Sequence, residues 1–155
     1  GVLGGLGPAA YERYNRDILQ QAGVKYAIIF IGTNDVGGST NSDDTYNKVT
    51  AHFADWIEKA HAAGIKIYGA TVTPFKHSGH YSVEHEALRQ RINNWIRTCG
   101  LYDAVIDFDK IMQDSNDPES MPSKYFDGGT DGLHANAEGY LYMGNSVDLK
   151  LFEKY

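Results

Sequence analysis

Tyr26-Ala27-Ile28-Ile29-Phe30-Ile31-Gly32-Thr33-Asn34-Asp35 joins an unbroken apolar run to a polar turn. A short run without alternation is the pattern of a parallel strand covered by helices on both faces. Gly32 permits a tight exit from that strand. In open α/β sheets ligands bind beyond the carboxyl ends of the strands, and Gly32, Thr33, Asn34 and Asp35 fall at such an end. Asn34 offers a neutral amide that can donate to a developing oxyanion. As an ordinary turn, Asn34 and Asp35 would satisfy their own backbone instead.

Two further runs repeat the strand pattern. Ile65 to Thr73, closed by Pro74, reads as a second buried strand, and Ala104 to Phe108 as a short third. Helical spacing fills the intervals. Tyr11, Tyr14 and Ile18 follow the glycine-rich stretch Gly1–Gly7, with Pro8 suited to a first turn and Gly23 as the stop. A polar loop is expected from Gly32 to Ser42, and then Tyr46, Val49, Phe53, Ile57 and Ala60 mark one face of a long helix ending at Gly64. Ser82 is placed to cap a helix buried through Leu88, Ile92, Trp95 and Ile96. Asn136 is placed to cap a last helix through Tyr140, Met143, Val147 and Leu151. Asp107 and Asp109 read as turn and cap residues. Alternating helices and strands define an α/β fold with a parallel sheet in three layers. Open α/β sheets usually have about five to six strands, so the domain is expected to lack its first strands here.

Composition narrows the function. The hydrophobic and charged fractions of 42% and 22% are those of a globular protein. A net charge of −6 with no basic cluster argues against nucleic acid or an anionic membrane as partner. Nothing approaches the ~18 apolar residues of a membrane span. The lone Cys99 excludes an internal disulfide and reads as a buried thiol near a helix end. The eleven tyrosines read first as core aromatics and second as a sugar-facing surface. His77, His80 and His85, with Glu84 and Glu86, lack the spacing of a zinc motif and read as a loop at a cleft rim.

Asp131-Gly132-Leu133-His134 supplies the remaining chemistry. If the linking residues turn, the Asp131 carboxylate reaches one ring nitrogen of His134 and leaves the other free to act as a base. Taken together, Gly32-Thr33-Asn34-Asp35 and Asp131-Gly132-Leu133-His134 resemble the third and fifth blocks of the SGNH, or GDSL, hydrolases. Leu6-Gly7-Pro8, Arg16-Asp17 and Ile106-Asp107-Phe108-Asp109 resemble a bacterial and fungal branch of these esterases acting on acetylated carbohydrates.

The resemblance implies a flavodoxin-like α/β/α hydrolase domain with a Ser-His-Asp triad. His134 would be the base, Asp131 its orienting acid and Asn34 an oxyanion donor, with Gly32, Thr33 and Asp35 about the substrate. No cofactor or metal is implied. The Gly-Asp-Ser block has no match here, and none of the eight serines stands in a nucleophile setting. Residues 1–155 are therefore expected to be the C-terminal portion of one such domain, inactive without an N-terminal segment that supplies the serine and completes the sheet. The expected substrate is a small ester or acylated carbohydrate, and the expected location is secreted or extracellular. The alternative is a non-catalytic carbohydrate-binding module on the same scaffold. A nucleotide-binding flavodoxin-like domain is disfavoured, because no glycine-rich phosphate loop follows a strand.

Overall fold

The structure, a computed structural model, describes residues 1–126 and 131–153. Three strands form a parallel sheet in the order β1 (Tyr26–Ile29), β2 (Lys66–Ala70) and β3 (Ala104–Ile106). Tyr26 pairs with Lys66, and Tyr68 with Ala104. β1 and β3 are thus the two edges among the described residues. No described helix is long and apolar enough to cross a membrane.

Alternate residues along the strands feed two cores. On one face, Ala27, Ile29 and Ile67 pack under α1 (Ala10–Tyr14), α3 (Ser42–Ala62) and α4 (Val83–Thr98), through Tyr14, Phe53, Trp56, Leu88 and Ile92. On the other face, Tyr68, Ala70 and Ile106 pack against α5 (Phe108–Met112) and α6 (Ala137–Asn145), through Met112 and Met143. This is the expected three-layer α/β arrangement.

Helix starts follow local chemistry. Asn41, Ser82 and Asn136 each accept a backbone N–H three residues on, capping α3, α4 and α6. Asp107 does the same for α5. The first helix is shorter than its periodicity suggests, because it passes into a π-helical turn at Asn15–Leu19. Pro8 precedes the N-cap residue Ala9 rather than occupying the first turn. The last helix ends at Asn145, where the Ser146 hydroxyl donates to the Met143 carbonyl. Leu151 therefore lies in a separate 3₁₀ turn, Leu149–Phe152, capped by Asp148.

Two further expectations need correction. The segment Gly32–Ser42 is not all loop, since Thr33–Gly37 forms a helical turn, α2, with Val36 fully buried. Five residues are too few for periodicity to reveal. β1 is also not covered on both faces: Ile28 and Phe30 are 44% and 45% exposed on the α5/α6 side.

Acid sensitivity follows from the carboxylates. Burial raises the pKa of Asp107, but hydrogen bonds from Arg97 and Thr71 outweigh it and hold the group below its ordinary range. Burial likewise opposes ionisation of Asp103, and the Ile67 N–H and His61 outweigh it. A lowered folded pKa contributes stability that is present above the unfolded value, about 3.9, and lost as pH falls through the folded one. The urea midpoint is expected to stay level from pH 7 to 5 and to drop by pH 3. Equal midpoints at pH 7 and pH 3 would contradict this.

Candidate active site

The turn Asp131–His134 builds its own geometry. One carboxylate oxygen of Asp131, Oδ1, accepts the backbone N–H groups of Leu133 (3.0 Å) and His134 (2.8 Å). The other, Oδ2, lies 2.8 Å from His134 Nδ1. Asp131 therefore locks the turn and orients the ring at once. The backbone N–H of His134, then its ring, hold the Asp131 carboxyl down to about 2. The pair stands open to solvent, with side chains 56% and 67% exposed, so its Coulombic attraction is screened and its value is orientation. His134 Nε2 makes no hydrogen bond among the described residues. Gly132 sits at φ +70°, and a Cβ there would come 2.4 Å from the His77 carbonyl oxygen, so this turn requires glycine.

The turn after β1 approaches from the other side. Gly32, buried at φ +131°, makes the sharp exit that its position in the sequence suggests. Thr33, Asn34 and His134 then line one cavity of about 300 Å³ at the carboxyl end of the sheet. Its apolar walls are Phe30, Leu133, Met143 and Tyr140, with Met121 and Thr73 deeper in the fold. No serine lines this cavity among the described residues.

Asp35 departs from its expected place about the substrate. It is buried, and its two oxygens accept the N–H groups of Val2 and Leu3, each at 2.8 Å. Its work is to tie the N-terminal segment across the turn, a partnership 32 and 33 residues distant that the motif itself does not reveal.

Five of the eight serines are engaged elsewhere. Ser82 caps α4, Ser39 meets Thr45, Ser78 accepts from the His80 N–H, and the Ser120 and Ser146 hydroxyls donate to carbonyls. Asp109 is more than the turn residue expected, because it is buried between Arg89 and Arg97. No group of three or more His, Cys, Asp or Glu among the described residues could hold a metal ion.

An oriented imidazole and an amide side chain thus share one cavity at the strand ends, groups of the kind that hydrolytic chemistry uses. The chain belongs to the GDSL-like lipase/acylhydrolase family, whose model matches residues 3–141. Among solved structures it is similar to a GDSL-like lipase from Bacteroides thetaiotaomicron, at 21% identity and a TM-score of 0.72, covering 92% of this chain and 69% of that one. It is also similar to a Bacteroides fragilis protein assigned as an acylhydrolase, at 21% identity, a TM-score of 0.66, and coverage of 92% and 68%. A Desulfitobacterium hafniense protein assigned to the G-D-S-L lipolytic family aligns at 19% identity, a TM-score of 0.67, and coverage of 88% and 70%. At such identities the likeness establishes the fold. No curated protein matches the chain.

Proposed function

We propose that this chain carries the base, its orienting acid and one oxyanion donor of a serine ester hydrolase, and that the nucleophilic serine lies on an N-terminal segment outside residues 1–155. The observation that carries this reading is the 2.8 Å contact of His134 Nδ1 with Asp131 Oδ2 on a cavity shared with Asn34. The serine attacks the ester carbonyl and passes its proton to His134 Nε2. Asp131 stabilises the imidazolium, and Asn34 donates to the tetrahedral oxyanion. His134 then returns the proton to the leaving alcohol, and water repeats the sequence to release the acid.

Support for the external segment comes from β1. Its outer edge has no strand partner among the described residues, and Ile28 on it and Phe30 just beyond it are half-exposed. An open apolar edge of this kind invites pairing. A strand added there would cover both and bring its end to the cavity. For the substrate we favour a short acyl ester of a carbohydrate. The cavity volume is at the small end of the roughly 300–1,000 Å³ usual for ligand sites, and Phe30 and the half-exposed Tyr140 offer flat apolar surfaces to a sugar ring.

The test is to label the protein with a fluorophosphonate, with and without its natural N-terminal extension, and to map the modified peptide. Labelling of a serine in the extension, together with hydrolysis of p-nitrophenyl acetate, is the expected result. A labelled serine within residues 1–155 would overturn the claim about the segment. Failure of the extended protein to label or hydrolyse would favour a carbohydrate-binding module on the same scaffold.

A further inference from the structure

The loop 74–81, between β2 and α4, touches both halves of the site. His80 Nε2 lies 3.1 Å from Asn34 Oδ1. The ring rests on Gly37, where a Cβ would come 2.2 Å from its Cδ2 and Cγ atoms, so its position exists only because α2 ends without a side chain. The His80 backbone is held as well: its N–H donates to Ser78 Oγ (3.2 Å), and its carbonyl lies 2.7 Å from His85 Nδ1. His85 Nε2 in turn reaches the Ser39 carbonyl at 3.0 Å. Three residues earlier, the His77 backbone presses against Gly132, and the His77 ring stacks on Phe126 at 4.9 Å. The same short loop therefore bears on the turn that carries Asn34 and on the turn that carries His134.

This matters because an asparagine amide has two opposite ends. Its Nδ2 group donates and its Oδ1 accepts, and a half-turn about the terminal bond exchanges them. An oxyanion is stabilised by the first and repelled by the second. Asn34 is exposed, so water alone would let both orientations occur. We propose that His80 is the positioning residue of the oxyanion donor: its Nε2–H donates to Asn34 Oδ1 and keeps the Nδ2 protons turned towards the reacting carbonyl. The neutral Nε2–H tautomer and the imidazolium both donate at that nitrogen, so either form serves. Neither His80 nor Gly37 touches substrate in this role; they act through Asn34. The inference deepens the hydrolase reading above and rests on it.

The experiment uses the serine-bearing protein with His80→Leu, His80→Gln and Gly37→Ala. Read out are kcat and KM on p-nitrophenyl acetate and inhibition by a boronic acid that forms a tetrahedral adduct with the serine. Removing an oxyanion donor outright costs about 10²–10³-fold in kcat, so losing only its orientation is expected to cost about 10-fold. His80→Leu and Gly37→Ala should lower kcat by that factor with KM within about twofold, and weaken the boronic acid in parallel, since both readouts report transition-state binding. His80→Gln, whose side-chain amide can reach the same oxygen, should recover most of the loss. Unchanged kcat and inhibition in His80→Leu, a rise in KM alone, or equal failure of Leu and Gln would overturn the proposal. A second readout separates it from the parent reading. In ¹⁵N-labelled protein the Asn34 side-chain amide signals should move with His80→Leu and Gly37→Ala and stay near their original positions with His80→Gln. If hydrolysis survives His134→Ala, the assignment of His134 as the base of the parent reading fails by itself, and the amide signals still decide whether His80 holds Asn34.

Discussion

Replacing His134 by alanine in the serine-bearing protein is expected to lower kcat for ester hydrolysis by roughly 10⁴–10⁶-fold, leaving the fold intact. The ring is 67% exposed and its only described side-chain partner is Asp131, so its removal opens no core cavity. Asp131→Asn is expected to cost about 10⁴-fold, because an amide no longer stabilises the imidazolium or selects the right tautomer. The pH profile separates the two roles. His134 must be neutral to accept the serine proton, so the rate falls as the imidazole protonates on the acid side. Asp131, held down to about 2, stays ionised across that range, and its contact with the ring is lost only as pH falls through about 2. The acid limb should therefore show one ionisation. Measuring initial rates from pH 4 to 9 checks this, and either a limb of slope two above pH 4 or more than a tenth of wild-type rate in His134→Ala would contradict the base assignment.

What could be read from the residues alone was local. Ser82, Asn136 and Asp107 cap helices because each finds its N–H partner three residues away. The apolar runs located the three strands among the described residues, although the ladder in β2 stops at Ala70 and not Thr73. Beyond it, the Val72 N–H donates to Asn93 Oδ1 on α4 and the Val72 carbonyl accepts from Asn93 Nδ2, a pairing across 21 residues that no periodicity shows. The cap pattern of the last helix was visible, but its end was not, because the apolar spacing continues through Val147 and Leu151 past a hydroxyl that closes the helix at Ser146. The candidate site divides in the same way. Asp131 and His134 meet because three residues and a glycine turn suffice. Asp35 turned inward, and His80 reached Asn34 from 46 residues away, through contacts that depend on the finished fold.

Arg89→Ala is expected to be the most destabilising single substitution, by about 3–5 kcal/mol. Arg89 is completely buried, and its Nε and Nη2 groups clamp the Glu86 carboxylate at 2.7 Å each. Its Nη1 group donates to Asp109 and, at 2.8 Å, to the Val72 carbonyl. Burial opposes the charge, but the Glu86 hydrogen bonds and the Asp109 charge outweigh it and raise the guanidinium pKa. Alanine would leave two nearly buried carboxylates short of their countercharge and a cavity beside Phe75, whose ring lies 5.8 Å from the guanidinium carbon. The loss would take a large share of an ordinary stability of about 5–15 kcal/mol. For a chain of this size each kcal/mol moves Tm by about 2–4 °C, so a fall of roughly 10 °C is expected. Arg89→Lys should recover only part of it, because a single ammonium cannot form the bidentate contact. Urea unfolding of the three proteins at pH 7 measures the difference, and a loss below 1 kcal/mol in Arg89→Ala would show that Arg97, which also bonds Asp109, carries the cluster alone. Activity should fall with stability in this series. Arg89 and Asn93 hold the Val72 backbone, the next residue, Thr73, lines the cavity, and a strand end released from α4 would move that wall.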